Sequence, residues 1–195
     1  MTILLHDRKI LIIQTYKTGS RTLANTIWNH TQETGEAYEV LRIQMKYDWP
    51  PRTIVKNTVH APWWKVKEHF KDYELYKKIA PIRNPWDTVV SQWYFNEQTD
   101  QPFNDWMRTL QFAWQIPSNM IFDNGYWVCD EVIRCENTVN DMLTILNIYA
   151  NKYDTKHENK NESRNVTYQE VHDLETKKLV EFHCFNEITE FGYEY

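Results

Sequence analysis

The sequence predicts an α/β fold in which a central parallel sheet is covered by helices on both faces. Two observations carry that expectation. Short apolar runs that read as buried strands alternate with segments of helical apolar spacing. Two of those strands pass through a short turn directly into a helix start. The length, 195 residues, fits a single domain spanning 1–195. A chain of that size buries about 70% of its unfolded surface without a metal or disulfide staple.

The elements follow in order. Lys9–Thr15 (KILIIQT) reads as a buried strand. Tyr16 to Ser20 forms a glycine turn, and Arg21–Asn29 places Leu23, Ile27 and Trp28 at helical spacing. Val40–Ile43 reads as a second strand and Pro50-Pro51 as a break. Thr53–Val59 is a strand that Pro62 ends, and Trp63–Phe70 is a helix. Lys77–Arg83 is a further strand, where Pro81 argues against a central position because it cannot donate to a ladder. Asn84-Pro85 is a helix start, with Asn as the cap and Pro in the first turn, and the helix runs to about Phe95. Phe103–Trp114 is helical and aromatic. Val132–Cys135 is a short strand, and Asn137–Ile148 is a helix presenting Val139, Leu143 and Leu146. The polar stretch Asn151–Asn165 is a loop. Asp173–Phe185 is amphipathic, with Leu174, Leu179, Val180 and Phe182 as core candidates.

Composition excludes several classes. Hydrophobic residues at 42% and charged residues at 25% rule out disorder and collagen-like structure. The net charge of −5 opposes binding of duplex nucleic acid, so any anion site is local. Three cysteines without a C-x-x-C pair fit a reducing compartment and argue against structural zinc, and no metal site is expected. No run of about 18 apolar residues encodes a membrane span. Asp7, Arg8 and Lys9 interrupt the N-terminal apolar stretch, which argues against a signal peptide; the expectation is a cytoplasmic protein. The sequons at Asn29, Asn161 and Asn165 carry little weight in an Asn-rich chain. Frequent Asn, Lys, Ile and Tyr with few Gly fit an AT-rich bacterial or phage genome.

Two segments carry chemistry. Lys17-Thr18-Gly19-Ser20-Arg21-Thr22 joins a strand to a helix, whose N-terminal N–H groups and positive dipole end suit phosphate-like anions. Lys17 precedes Gly19 and no upstream Gly exists, which disfavours a Walker A loop. The plain alternative is a strand-to-helix turn with a solvated lysine. Arg83-Asn84-Pro85-Trp86-Asp87 through Ser91 repeats the arrangement, with Arg83 at a strand's C-terminal edge, where open α/β sheets bind ligands. Arg83 by charge and Ser91 by its hydroxyl suit one phosphate. The plain alternative pairs Arg83 with Asp87 as a structural clamp.

In this order and spacing, K-T-G-S-R-T and R-N-P-x-D-x-x-x-S resemble the sulfotransferases that use 3′-phosphoadenosine 5′-phosphosulfate (PAPS). Asp130-Glu131-Val132-Ile133-Arg134-Cys135-Glu136-Asn137 and the final Phe191-Gly192-Tyr193 resemble the carbohydrate-type branch and its small bacterial or phage relatives. The resemblance spans about Ile10 to Tyr195. It implies a P-loop-like three-layer sandwich. Lys17 would contact the phosphosulfate, Thr18, Gly19, Ser20, Arg21 and Thr22 would cradle the 5′-phosphate, and Arg83 and Ser91 would hold the 3′-phosphate. His60, in Val59-His60-Ala61-Pro62, would be the general base, a role that suits an imidazole. Leu23 and Cys135 depart from the Trp and Tyr common in the family at these places, and Asn186 from an Asp. The cytosolic branch's late Arg-Lys-Gly loop is missing, with Lys160 and Arg164 in a polar loop instead.

The resemblance therefore implies sulfuryl transfer from PAPS, leaving adenosine 3′,5′-bisphosphate, to a hydroxyl of a carbohydrate or small molecule. In-line geometry and charge stabilisation are the physical requirements, by analogy with phosphoryl transfer. Two other readings stand beside it: a P-loop-type nucleotide-dependent kinase and a non-catalytic nucleotide-binding module. Trp63-Trp64, Trp93-Tyr94-Phe95 and Trp106–Trp114 read either as core or as an acceptor groove. His69, His157, His172 and His183 read as structural.

Overall fold

Strand β1 (Thr2–Leu5) and strand β2 (Ile10–Ile13) form a hairpin at the heart of the protein, closed by a turn at His6–Lys9 in which Lys9 has φ 53°. These coordinates are a computed structural model that describes residues 2–49, 52–58, 60–95, 101–110, 113, 116–152, 164 and 166–195. Pro50, Pro51, Val59, Trp114, His157, Lys160, Asn161 and Asn165 lie outside the described residues.

The remaining elements are helix α1 (Ser20–Thr34), strands β3 (Tyr38–Leu41), β4 (Ile43–Trp49) and β5 (Arg52–Thr58), and helix α2 (Trp63–His69). Strand β6 (Lys77–Ile82), α3 (Pro85–Phe95), α4 (Phe103–Arg108), α5 (Ser118–Ile121), β7 (Phe122–Asp123) and β8 (Tyr126–Trp127) follow. The chain continues through β9 (Glu131–Arg134), α6 (Thr138–Leu146), α7 (Tyr168–Val171), α8 (Leu174–His183) and α9 (Phe185–Phe191).

The main sheet has the order β3-β1-β2-β6-β9. β2, β6 and β9 run parallel, whereas β1 is antiparallel to both β2 and β3. The expected parallel sheet is thus corrected to a mixed one. The cause is the β1–β2 connection: a turn from His6 to Lys9 can reverse the chain but cannot cross over to a parallel neighbour. The sheet face carrying Ile3, Leu5, Ile10, Ile12, Ile79 and Ile133 packs on Leu23 and Ile27 of α1 and on Met142 and Leu146 of α6. The opposite face carries Leu4, Leu11, Ile13, Ala80 and Ile82 and packs on Val66 of α2, Ile121 of α5 and Phe191 of α9. The near-continuous apolar strands follow from burial on both faces. Among the described residues no helix is long and apolar enough to cross a membrane.

Other expectations are corrected in detail. β6 is an interior strand although it contains Pro81. The Lys77 N–H donates to the Lys9 carbonyl and the Asp130 N–H to the Lys78 carbonyl, so odd-numbered β6 residues point at β2 and even-numbered ones at β9. The pairing with β2 ends at Ile79. The nitrogen of Pro81 therefore points past the end of β2, where no ladder bond is lost. The 53–59 strand does not join this sheet; β5 pairs with β4 in a separate two-stranded ribbon. The middle helix α4 ends at Arg108, because Leu110 adopts φ 58°, left-handed backbone that stops a helix.

Two helices are rotated from the faces read in the sequence. On α6 Met142 and Leu146 are buried, while Val139 and Leu143 are exposed. The Asp141 carboxylate fixes that rotation by accepting from the Arg134 N–H (2.7 Å) and the Asn137 side chain (2.6 Å). On α8 Thr176 and Val180 are buried, while Leu174 and Phe182 are 70% and 78% exposed. The Thr176 hydroxyl lies 3.0 Å from Asn104 Oδ1, and the Asp173 cap accepts from the Thr176 N–H. Those bonds turn the polar residue inward.

Ile12, wholly buried between β1 and β6, tests this packing. Ile12→Ala is expected to cost about 2–5 kcal/mol in urea unfolding. A loss below about 1 kcal/mol would contradict the close packing described.

Candidate functional site

The site begins where β2 ends. Gln14 and Thr15 are buried, and the Thr15 hydroxyl donates to the Pro81 carbonyl at 2.6 Å. The Thr18 hydroxyl donates to the Thr15 carbonyl (3.1 Å), so it holds the turn, and the Gln14 side-chain amide donates to the Ser20 carbonyl (3.1 Å). Lys17 (φ 60°) and Gly19 (φ 72°) both adopt left-handed backbone in this turn. Gly19 is the residue suited to it, and a Cβ there would lie 3.4 Å from Cys135 Sγ. Helix α1 then starts at Ser20, capped by Gly19 without a side-chain bond and with no acidic residue in its first turn. Its positive end is met by no acidic group of that turn. Arg21 is exposed and Thr22 half-buried there.

β6 brings the second segment alongside. Asn84 caps α3, its side-chain oxygen accepting from the Asp87 N–H at 3.2 Å. Arg83 donates through Nε to Asp87 Oδ2 (2.7 Å), and its Nη2 lies 2.5 Å from the same oxygen. Its Nη1 donates to the Lys17 carbonyl at 3.1 Å. The structural clamp weighed above is therefore present, and Arg83 also ties the two strand-to-helix turns together. Asp87 Oδ1 accepts from Arg164 Nη2 at 2.5 Å, so one carboxylate joins two guanidinium groups. Ser91 is half-buried one turn beyond Asp87 on the same side of α3.

His60 lies against this turn from the other side. Its Nδ1 is 3.0 Å from the Gln14 carbonyl, and its ring stacks on Tyr16 at 4.8 Å between centroids. A carbonyl only accepts, so Nδ1 carries the hydrogen and Nε2 the lone pair of the neutral ring. Burial, then the charge of the N-terminal amine and, more weakly, that of Lys17, pull the His60 pKa down to about 4. Burial, then the charges of Arg83 and Arg21, pull the Lys17 pKa down to about 8. Neighbouring cations that lower a lysine's pKa mark a locally positive site within an acidic chain.

The third strand end closes the group. Glu136 accepts from the Asn84 N–H (2.6 Å), and its other oxygen lies 3.4 Å from the Tyr193 hydroxyl. Arg134 donates to the Phe191 carbonyl (2.8 Å) and lies over the Tyr193 ring. The tail pattern is thus fastened onto the start of α3. Burial pushes the Cys135 thiol pKa up, so it stays protonated. Sequence reasoning passed over Gln14 and Tyr16, and took Asp87 only as the clamp partner of Arg83. The Arg83–Asp87 spacing of four residues was the available signal. His172, read as structural, sits between the Trp86 carbonyl and the Thr176 hydroxyl. A concavity of about 340 Å³ lined by Arg8, His30, Glu36 and Asn147 lies at the opposite end of β2, away from these groups.

No protein family, curated protein or solved structure matches the chain.

The depressed histidines give a pH dependence with a defined sign. His60 and His172 both have folded pKa values lowered to about 4 by burial, against an unfolded value of 6.5. Between those values the unfolded chain binds more protons, so stability rises with pH from 4 to 6.5 and is lost on acidification through that window. Urea titrations across that window are expected to show a shallower slope in His60→Asn than in the wild type, with the His172 share retained. An unchanged slope would show that His60 does not titrate as described.

Proposed function

We propose that the chain is a sulfotransferase with a P-loop-like core, moving a sulfuryl group from PAPS to a hydroxyl of a carbohydrate or small molecule. The observation that carries this reading is the 3.1 Å bond from Arg83 Nη1 to the Lys17 carbonyl, which holds the two anion-binding segments side by side at one sheet edge. The His60 bond to Gln14 sets a candidate base against the same turn.

Each residue then has a physical task. Lys17 and the first N–H groups of α1 stabilise charge on the 5′-phosphate oxygen as its bond to sulfur breaks. Arg83 and Ser91 hold the 3′-phosphate, a role in which the guanidinium exchanges part of its bonding to Asp87 for the phosphate. His60 Nε2 takes the proton from the acceptor hydroxyl as the new oxygen–sulfur bond forms. The ring is uncharged at neutral pH and so able to accept that proton. An anionic donor beside it offsets the Lys17 charge and raises its basicity during the reaction. Adenosine 3′,5′-bisphosphate leaves.

The test is thermal stabilisation by adenosine 3′,5′-bisphosphate without metal, set against ATP with Mg²⁺. At 100 times Kd the bisphosphate is expected to add about 2.7 kcal/mol. Lys17→Ala and Arg83→Ala are expected to weaken that binding about tenfold or more, the loss of a charge-assisted phosphate contact. His60→Ala is expected to bind as the wild type does and to lose turnover in an acceptor screen with PAPS. Stabilisation by Mg-ATP alone would favour the kinase reading. Bisphosphate binding with no turnover on any acceptor would favour the non-catalytic module.

A further inference from the structure

Among the described residues no carboxylate pairs with the Lys17 ammonium. Its Nζ lies 3.8 Å from the centroid of the Phe95 ring. Phe95 is the last residue of α3, and it is 63% exposed. Asp87, Ser91 and Phe95 are spaced by four residues, so they share one side of that helix. The same side of α3 thus holds Lys17 twice: at its carbonyl, through the Arg83–Asp87 pair, and at its ammonium, through Phe95.

We propose that Phe95 is a positioning residue for Lys17, an uncharged seat that orders the ammonium at the turn without cancelling its charge. The proposal rests on the sulfotransferase reading above. A carboxylate in this place would also order the lysine, but it would neutralise the cation and repel an incoming phosphosulfate. The face of an aromatic ring attracts the cation through its quadrupole and carries no net charge. A long lysine chain loses much rotamer freedom on binding an anion, and a side chain already ordered loses less.

The experiment compares wild type, Phe95→Leu and Phe95→Tyr in calorimetric titration with adenosine 3′,5′-bisphosphate from pH 6.5 to 9.5. Leu keeps apolar volume without the quadrupole, whereas Tyr keeps the ring. Phe95→Leu is expected to weaken binding about two- to fivefold. It also shifts the alkaline loss of binding to lower pH, because the ring favours the charged form of Lys17. Phe95→Tyr is expected to restore both, and neither substitution at this exposed position is expected to move the ligand-free melting temperature. Equal affinity and pH midpoint in wild type and Phe95→Leu overturn the proposal, as does equal weakening by Leu and Tyr. If Lys17→Ala weakens wild-type binding while Phe95→Leu does not, only the Phe95 role fails. If the wild type does not bind the bisphosphate, the sulfotransferase reading fails and the proposal with it.

Discussion

The parallel pairing of β2 with β6 is the constraint on which the site depends. Its register, from Ile10 opposite Lys77 to Ile12 opposite Ile79, brings two strands to an end at the same sheet edge. β9 extends the same direction from Ile79 opposite Glu131 to Ile82 opposite Arg134. Three chain segments that follow those strands, at residues 14–22, 83–91 and 134–137, are therefore neighbours although far apart in sequence. The cross-ties Thr15 to Pro81, Arg83 to Lys17 and Glu136 to Asn84 are consequences of that alignment. β1 and β3 run against this direction or lie outside it and contribute burial to the sheet instead.

Asp87 regulates the charge gathered there. It faces Arg83 on one oxygen and Arg164 on the other, in a partly buried setting. A lone carboxylate between two guanidinium groups leaves a positive remainder, to which Lys17 and Arg21 add. Removing the carboxylate would leave two neighbouring guanidinium groups without their shared counter-charge. The clamp is observed, and the phosphate-binding role proposed for Arg83 is compatible with it.

What was legible in the sequence was local. The strand–turn–helix units at 10–34 and 77–95 were readable because Gly19 and Asn84-Pro85 mark backbone requirements that no distant contact alters. Sheet direction was less legible, since it hangs on the length of the turn after Leu5 and on the strand status of Thr2–Leu5. Helix rotation was illegible where a single polar bond decides it: Asp141 to the Arg134 N–H, Thr176 to Asn104. Pro81 misled because the rule about ladder donors applies to the side on which a neighbour exists, and that side is known only from the pairing. Of the candidate site, the motif residues were readable, while the stack of Tyr16 on His60 and the seat of Lys17 on Phe95 depend on tertiary approach.

The lowered pKa values of Lys17 and His60 have related causes. Each group is half-buried at the turn, and each feels positive charge: Arg83 and Arg21 act on Lys17, and the N-terminal amine and then Lys17 act on His60. Each group gives up its proton more readily than the free side chain does, although Lys17, at about 8, keeps its charge at neutral pH while His60, at about 4, does not. An anion placed at the turn would offset the local positive charge and favour the protonated form of both. Under the proposed function, a phosphate-like group beside Lys17 would raise the basicity of the imidazole, and proton abstraction would then be tied to occupancy of the donor site. A chain with a net charge of −5 attracts few anions in general, and the cations gathered here make this edge of the sheet a local exception.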